Sequence, residues 1–247
     1  MTTLSGLYKR YCNAMRRSLY GPLVGSYTEV LYRRFLEGCA DNATILDIGI
    51  GDGSSLCKSA DVIKRANLHI VGIDICKDSI NDCLANISTY GLEEHVEVGL
   101  ADEMLRFCYP SFDYAYLSNS YSVIDDIGSC IDMALQETKD AQCVISLALY
   151  STYSPIAAFV KRNLHRFLGF ACGRYITHAS LNDELASMNL IATNKEFTCS
   201  NKLFGVSIAD VYTLTIARNI VFADDGDDDS ESGGCDGKAD YSGDNSL

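Results

Sequence analysis

Apolar positions along this chain switch repeatedly between two periods. Short continuous or alternating runs suit strands, and repeats of three and four residues suit helices. Near the start, Leu7, Tyr8, Tyr11, Met15 and Leu19 recur at helical steps over 5–19. Gly21-Pro22 then breaks the pattern, and a second helix is predicted over 24–36. From residue 45 onward, strand, turn and helix follow one another. Strands are predicted over 45–48, 69–75, 95–100, 112–117 and 141–149, with helices over 54–66, 77–90 and 127–138 between them. Gly91 stands where a left-handed C-cap would close 77–90. A helix over 181–188 and strands over 191–199 and 210–218 complete the order. This alternation predicts an α/β domain. The connection 150–179 has no strand signal, is helix-compatible over 155–170, and is long enough for a lid or substrate-binding insert.

The first strand carries the strongest chemical signal. Asp47-Ile48-Gly49-Ile50-Gly51-Asp52-Gly53 puts a carboxylate at the end of an apolar run and a glycine at every second position after it. A buried strand running into such a turn and then a helix brings backbone N–H groups up to a ligand. The NAD fingerprint needs G-x-G-x-x-G; here Ser54 stands at the third glycine. A carboxylate beside the turn would repel a pyrophosphate but accept hydrogen bonds from an ammonium group. The pattern points to a cationic amino-acid cofactor.

These residues resemble the first motif of the class I S-adenosylmethionine-dependent methyltransferases. The resemblance implies a Rossmann-like, seven-stranded, mostly parallel sheet flanked by helices and closed by an antiparallel hairpin at 191–199 and 210–218. It implies that Asp47, Gly49, Gly51 and Gly53 form the cofactor turn. Asp74, ending the second strand, would accept from the ribose hydroxyls, and Ile75 would pack against the adenine. Asp102, after the third strand, would accept from the adenine amine, although it could equally cap a helix starting at Glu103. The loop from Ser118 to Asp126 lacks the N-P-P-Y sequence of many amino-group methyltransferases and looks more like the S-N-S loop of small-molecule enzymes. Ser118 is grouped with the cofactor residues. An N-terminal helical arm or lid (1–40), the cofactor domain (41–222) and an acidic tail (223–247) are the expected divisions, with the helical insert following strand five.

Methyl transfer from a sulfonium is an in-line displacement. Orientation of donor and acceptor is its main requirement, and can supply roughly 7–11 kcal/mol. A base is needed only if the acceptor still holds its proton. His178, Tyr121, Tyr150 and His165 are the base or orienting candidates, and each has a plainer role in packing or surface hydrogen bonding. Tyr11 on the arm and Tyr153 on the insert are candidates for lining an acceptor pocket.

Charge narrows the partners. The net charge is −13. Residues 1–34 hold six Lys/Arg against Glu29, and 223–247 hold nine acids against Lys238, which leaves the body between them at −10. An acidic body disfavours a phosphate-backbone track, although Arg16, Arg17, Lys161, Arg162 and Arg166 could form a local one. A small-molecule acceptor is therefore expected, and nucleic acid is not. RNA or protein methylation, or a non-catalytic cofactor-binding subunit, are the alternatives. Eleven cysteines without a C-x-x-C pair predict reduced thiols and no metal site. Lys9, Arg10, Arg16 and Arg17 interrupt any signal-like run, and the apolar stretch 143–160 is broken by Ser, Thr and Pro. A cytoplasmic protein without a membrane span is expected. From Asp224 the chain is mostly Asp, Gly and Ser, which predicts a disordered tail.

Overall fold

The apolar runs pair as strands in a computed structural model of the chain, which describes residues 26–102, 111–150, 174–203 and 206–219. In chain order the elements are α1 (Ser26–Gly38), β1 (Thr44–Ile48), α2 (Ser54–Cys57), α3 (Ala60–Arg65), β2 (His69–Asp74), α4 (Lys77–Tyr90), β3 (Val96–Leu100), β4 (Tyr114–Ser118), α5 (Ile127–Glu137), β5 (Gln142–Leu149), α6 (His178–Ser187), β6 (Leu190–Leu203) and β7 (Val206–Arg218). The predicted helix over 5–19, the body of the insert and the acidic tail lie outside the described residues, as do Tyr11, Tyr153, Lys161, Arg162, His165 and Arg166.

The seven strands form one sheet in the order β3-β2-β1-β4-β5-β7-β6. β1 pairs in parallel with β2 and β4, and the parallel run extends through β3 and β5. β7 enters antiparallel between β5 and β6. The strand order reverses between β1 and β4, so the loops leaving those strands open a crevice at the carboxyl edge.

Each face of the sheet is covered by its own apolar layer. On one face Ile45, Ile70 and Tyr116 pack against Tyr32 and Leu36 of α1, Leu56, Val62 and Ile63 of α2–α3, and Cys83 and Ile87 of α4. On the other, Leu46, Leu117, Ile145 and Leu214 pack against Ile131 and Leu135 of α5 and Leu181 and Leu185 of α6.

Two local departures from the sequence pattern have physical causes. The helix predicted over 54–66 is divided at Lys58–Ser59, where Ser59 N–H bonds to Leu56 O (2.9 Å) and restarts the ladder. A continuous helix would set Val62 about 120° round the axis from Leu56, and Ile63 as far from Cys57; the break lets all four bury. Helix α6 begins at His178 rather than Leu181 because Thr177 and Ser180 form a capping box, with Ser180 in place of the usual Glu or Gln.

Gly53 is left-handed (φ 65°), and a Cβ there would stand 2.4 Å from Cys83 Sγ. Gly53→Ala is expected to lower the unfolding free energy by about 2–3 kcal/mol, from strain and overpacking together. Urea denaturation of Gly53→Ala, Cys83→Ala and the double variant checks this. The double variant should recover the packing part, and full additivity would show that the two sites are not in contact.

Candidate functional site

The glycine turn is shaped by what surrounds it. Gly49, Gly51 and Gly53 all have positive φ (82°, 64° and 65°). A Cβ on Gly49 would lie 2.5 Å from Ser120 Cβ, because Ser120 Oγ reaches across to donate to Ile48 O at 2.7 Å. This hydrogen bond joins the β1 and β4 loops at the point where the strand order reverses. Around Gly51 there is open space.

Asp74, partly exposed at the end of β2, holds the turn from the other side. Its Oδ2 accepts from Gly51 N–H (3.0 Å) and its Oδ1 from Cys76 N–H (2.8 Å). Each carboxylate oxygen has capacity for a further donor, so these bonds are compatible with hydroxyls arriving from a ligand. Ile75, the next residue, is 89% exposed. Asp74 pairs with Leu100, which sets Ile75 and the exposed Asp102 along the same edge.

Asp47 is the buried member. It is 1% exposed, in a strand paired on both sides, on the face covered by α1. Tyr32 of α1 donates its hydroxyl to Asp47 Oδ2 at 2.9 Å, and Oδ1 is buried without a partner among the described residues. Burial pushes the carboxyl up to about 7; the Tyr32 hydroxyl opposes this and the charge of Asp74 adds to it.

In the loop after β4, Ser118 Oγ is buried and unpartnered among the described residues. Asn119 takes a left-handed conformation (φ 58°) and its Nδ2 donates to Thr28 Oγ1 of α1 at 3.1 Å. Tyr32, Thr28 and Ser120 thus tie the two loops to each other and to α1. The sequence did not single out these contacts, since Tyr32 and Thr28 carry no local signal for a partner 15 and 91 residues away.

The base candidates lie elsewhere. Tyr121 is fully buried among Ile127, Ile131 and their neighbours, with Arg174 5.6 Å above its ring. Burial drives its phenol well above the ordinary range, and its ring is part of the core. Arg174 is itself fixed by Glu184 at 2.7 Å. Tyr150 stacks on Tyr175 with centroids 4.6 Å apart. His178 meets the Tyr212 ring edge-on at 4.9 Å, and Lys195 Nζ stands 2.5 Å from its Nδ1. Burial, and then Lys195, lower its pKa. With Nδ1 accepting from an ammonium, the neutral ring carries its proton on Nε2 and is a donor rather than a base. Tyr212 is on β7, three strand spacings or about 14 Å from β1. The cofactor candidates therefore gather at the switch point, and Tyr150 and His178 stand apart from it, each against another tyrosine ring.

The raised Asp47 pKa has a stability consequence. A carboxyl that titrates higher folded than unfolded contributes stability below its unfolded pKa, near 4, and loses it as pH rises through about 7. Asp47→Asn should therefore gain on the ligand-free wild type between pH 4 and 7. By pH 8 it should be more stable by on the order of 2–4 kcal/mol, with the difference then level. Urea midpoints at pH 4.5, 6 and 8 measure this, and a pH-independent difference would refute it.

No family model and no curated protein matches this sequence. Solved structures do. Mitomycin 7-O-methyltransferase MmcR is similar with a TM-score of 0.62 at 16% identity, over 85% of this chain and 60% of that one, so the present chain spans well under the whole of MmcR. A SAM-dependent methyltransferase from Thiobacillus denitrificans in complex with S-adenosyl-L-homocysteine gives a TM-score of 0.57 at 9% identity, over 83% of this chain and 96% of that one. The [4+2]-cyclase SpnF gives 0.58 at 14% identity, over 78% and 81%. The sheet order, the glycine turn at the switch point and these likenesses agree: the chain has the fold of the class I S-adenosylmethionine-dependent methyltransferases.

Proposed function

We propose that this protein binds S-adenosylmethionine and transfers its methyl group to a small-molecule acceptor. The observation that carries the reading is Asp47, whose buried Oδ1 lacks a partner beside an open glycine turn. A buried acceptor of this kind is costly unless something donates to it. An α-ammonium group meets that need, and a pyrophosphate does not. Asp74 and Ile75 fit the other end of the same molecule, as an acceptor for ribose hydroxyls and an exposed apolar surface for a base.

When bound, the cofactor supplies a methyl group on a sulfonium, already a good electrophile. The chain's part is to hold and orient. Asp47 fixes the amino-acid end, Asp74 the ribose, Ile75 and Asp102 the adenine, and Ser118 completes the wall beneath β4. The absence of a presented base at Tyr121, and the engaged Nδ1 of His178, favour an acceptor that is already deprotonated or a neutral nucleophile. MmcR acts on a small molecule by name, which supports the same substrate class here. The −10 body weighs against RNA as the acceptor.

The arm (1–40), whose second half is α1, and the insert after β5 are proposed to roof the acceptor, with Tyr11 and Tyr153 in its lining and 41–222 as the cofactor domain. The segment 223–247 is proposed as a solvated tail. All seven described cysteines are free, and no described helix is long and apolar enough to cross a membrane. A reducing, cytoplasmic setting is consistent with the free thiols.

Calorimetry should show micromolar-range binding of S-adenosylmethionine and S-adenosylhomocysteine and none of NAD; the reverse pattern rejects the reading. Ile75→Ser should weaken both ligands by about 1–2 kcal/mol, the loss of one apolar contact. It should leave the urea midpoint unchanged, since the side chain is exposed in the free protein.

A further inference from the structure

We infer that Tyr32 is a positioning residue for the cofactor site: it holds Asp47 by one oxygen so that the other is presented, charged and unshared, to the incoming ammonium group. The inference rests on the cofactor reading above and extends it to a residue outside the glycine turn.

The geometry leaves this task to Tyr32 among the described residues. Four titratable groups face the Asp47 carboxylate from the surrounding elements: Tyr32 on α1, Asp74 on β2, Cys83 on α4 and Tyr116 on β4. Asp74 is an anion already bonded to Gly51 and Cys76, and can only repel. Cys83 is a buried neutral thiol and a weak donor, pressed against Gly53. Tyr116 donates instead to Ser146 Oγ, at 3.0 Å. Among the described residues, Tyr32 alone donates to the carboxylate.

The Tyr32 ring cannot swing away. It lies edge-on to Tyr116 with centroids 5.3 Å apart, and Phe35, one turn-step along α1, stacks on the same Tyr116 ring at 3.9 Å. The helix is fastened on both sides of Tyr32. Thr28 receives Asn119 from the β4 loop, Glu29 pairs with Lys58, and Arg33 grips Asp61 with two hydrogen bonds of 3.1 and 2.8 Å. A hydroxyl so placed stabilises the ionised carboxylate over the protonated one, and ionised Asp47 is the form that accepts two ammonium protons or a proton and an ordered water.

The test measures S-adenosylhomocysteine binding by calorimetry from pH 5.5 to 9 on the full chain, as wild type, Tyr32→Phe and Asp47→Asn. The ligand-free Asp47 carboxyl is followed by carbon NMR in the first two. Wild-type affinity should fall about tenfold per pH unit below the midpoint for Asp47. In Tyr32→Phe that midpoint should rise by about one to two pH units, in both binding and the ligand-free titration. In Asp47→Asn the inflection should vanish. Tyr32→Phe keeps the ring and its contacts, so an effect of packing alone would weaken binding equally at every pH. An unchanged midpoint in Tyr32→Phe overturns the inference while wild-type binding preserves the cofactor reading. No binding by wild type overturns the cofactor reading, and with it Tyr32's role toward a ligand. In that case the NMR titration still shows whether Tyr32 supports the carboxylate.

Discussion

A carboxylate buried in the middle of a parallel sheet is the constraint around which this structure is arranged. Removing a charge from water costs several kcal/mol unless donors replace the solvent. Asp47 has one donor among the described residues, and the elements that bring it there are distant in sequence: α1 carries Tyr32, and α1 is itself fixed to both the β4 loop and the α2–α3 region. Ser120 and Asp74 then fix the two sides of the glycine turn that follows the same strand. Among the described residues, Asp47 Oδ1 and the nearby Ser118 Oγ are buried polar atoms left without a partner, which is the pattern of a site kept for a ligand.

Much of the scaffold was legible in the sequence because local chemistry matched the outcome. Helix α4 has the predicted bounds because Gly91 supplies a left-handed C-cap (φ 62°) just past the last apolar position. The parallel strands were legible as short apolar runs because both faces of the sheet are buried. The hairpin strands run longer than expected because Ser200, Asn201 and Lys202 are polar yet still pair with β7. The division of 54–66 was hidden because Leu56 and Ile63 share one phase of a continuous helix; only the shared core shows that Cys57 and Val62 must face inward as well. The cofactor turn carried its own signal in Asp47 and three glycines. Tyr32 did not, since a tyrosine on an aromatic helix has no mark of the one it is paired with. Tyr121 carried no sign in the sequence that its loop folds back and its aromatic ring enters the core beside α5 and α6.

The edge of the sheet is chemically divided. At the switch point stand carboxylates and the glycine turn; farther along, Tyr150 stacks on Tyr175, and on β7 Tyr212 meets His178 and the Lys195 ammonium. A fold of this kind fixes the first half more strongly than the second. The same architecture holds a protein named as an O-methyltransferase and another named as a [4+2]-cyclase. A shared fold therefore does not fix the reaction, which depends on how the acceptor is oriented.

The insertion of β7 between β5 and β6 has a consequence for biosynthesis. β6 is made first but touches the sheet only through β7. Until Arg218 has left the ribosome, β5 is an open edge, with Val144, Ile145 and Leu147 on a strand that lacks its outer neighbour. At about 5–20 residues per second, the interval between completion of β5 and of β7 is on the order of several seconds. During that time the nascent chain displays an unpaired apolar strand, the kind of surface that recruits other chains. The cofactor turn, built from β1, β2 and β4, is complete before this interval begins. A ligand that binds the turn could therefore steady the half-made sheet while its last two strands are still being synthesised.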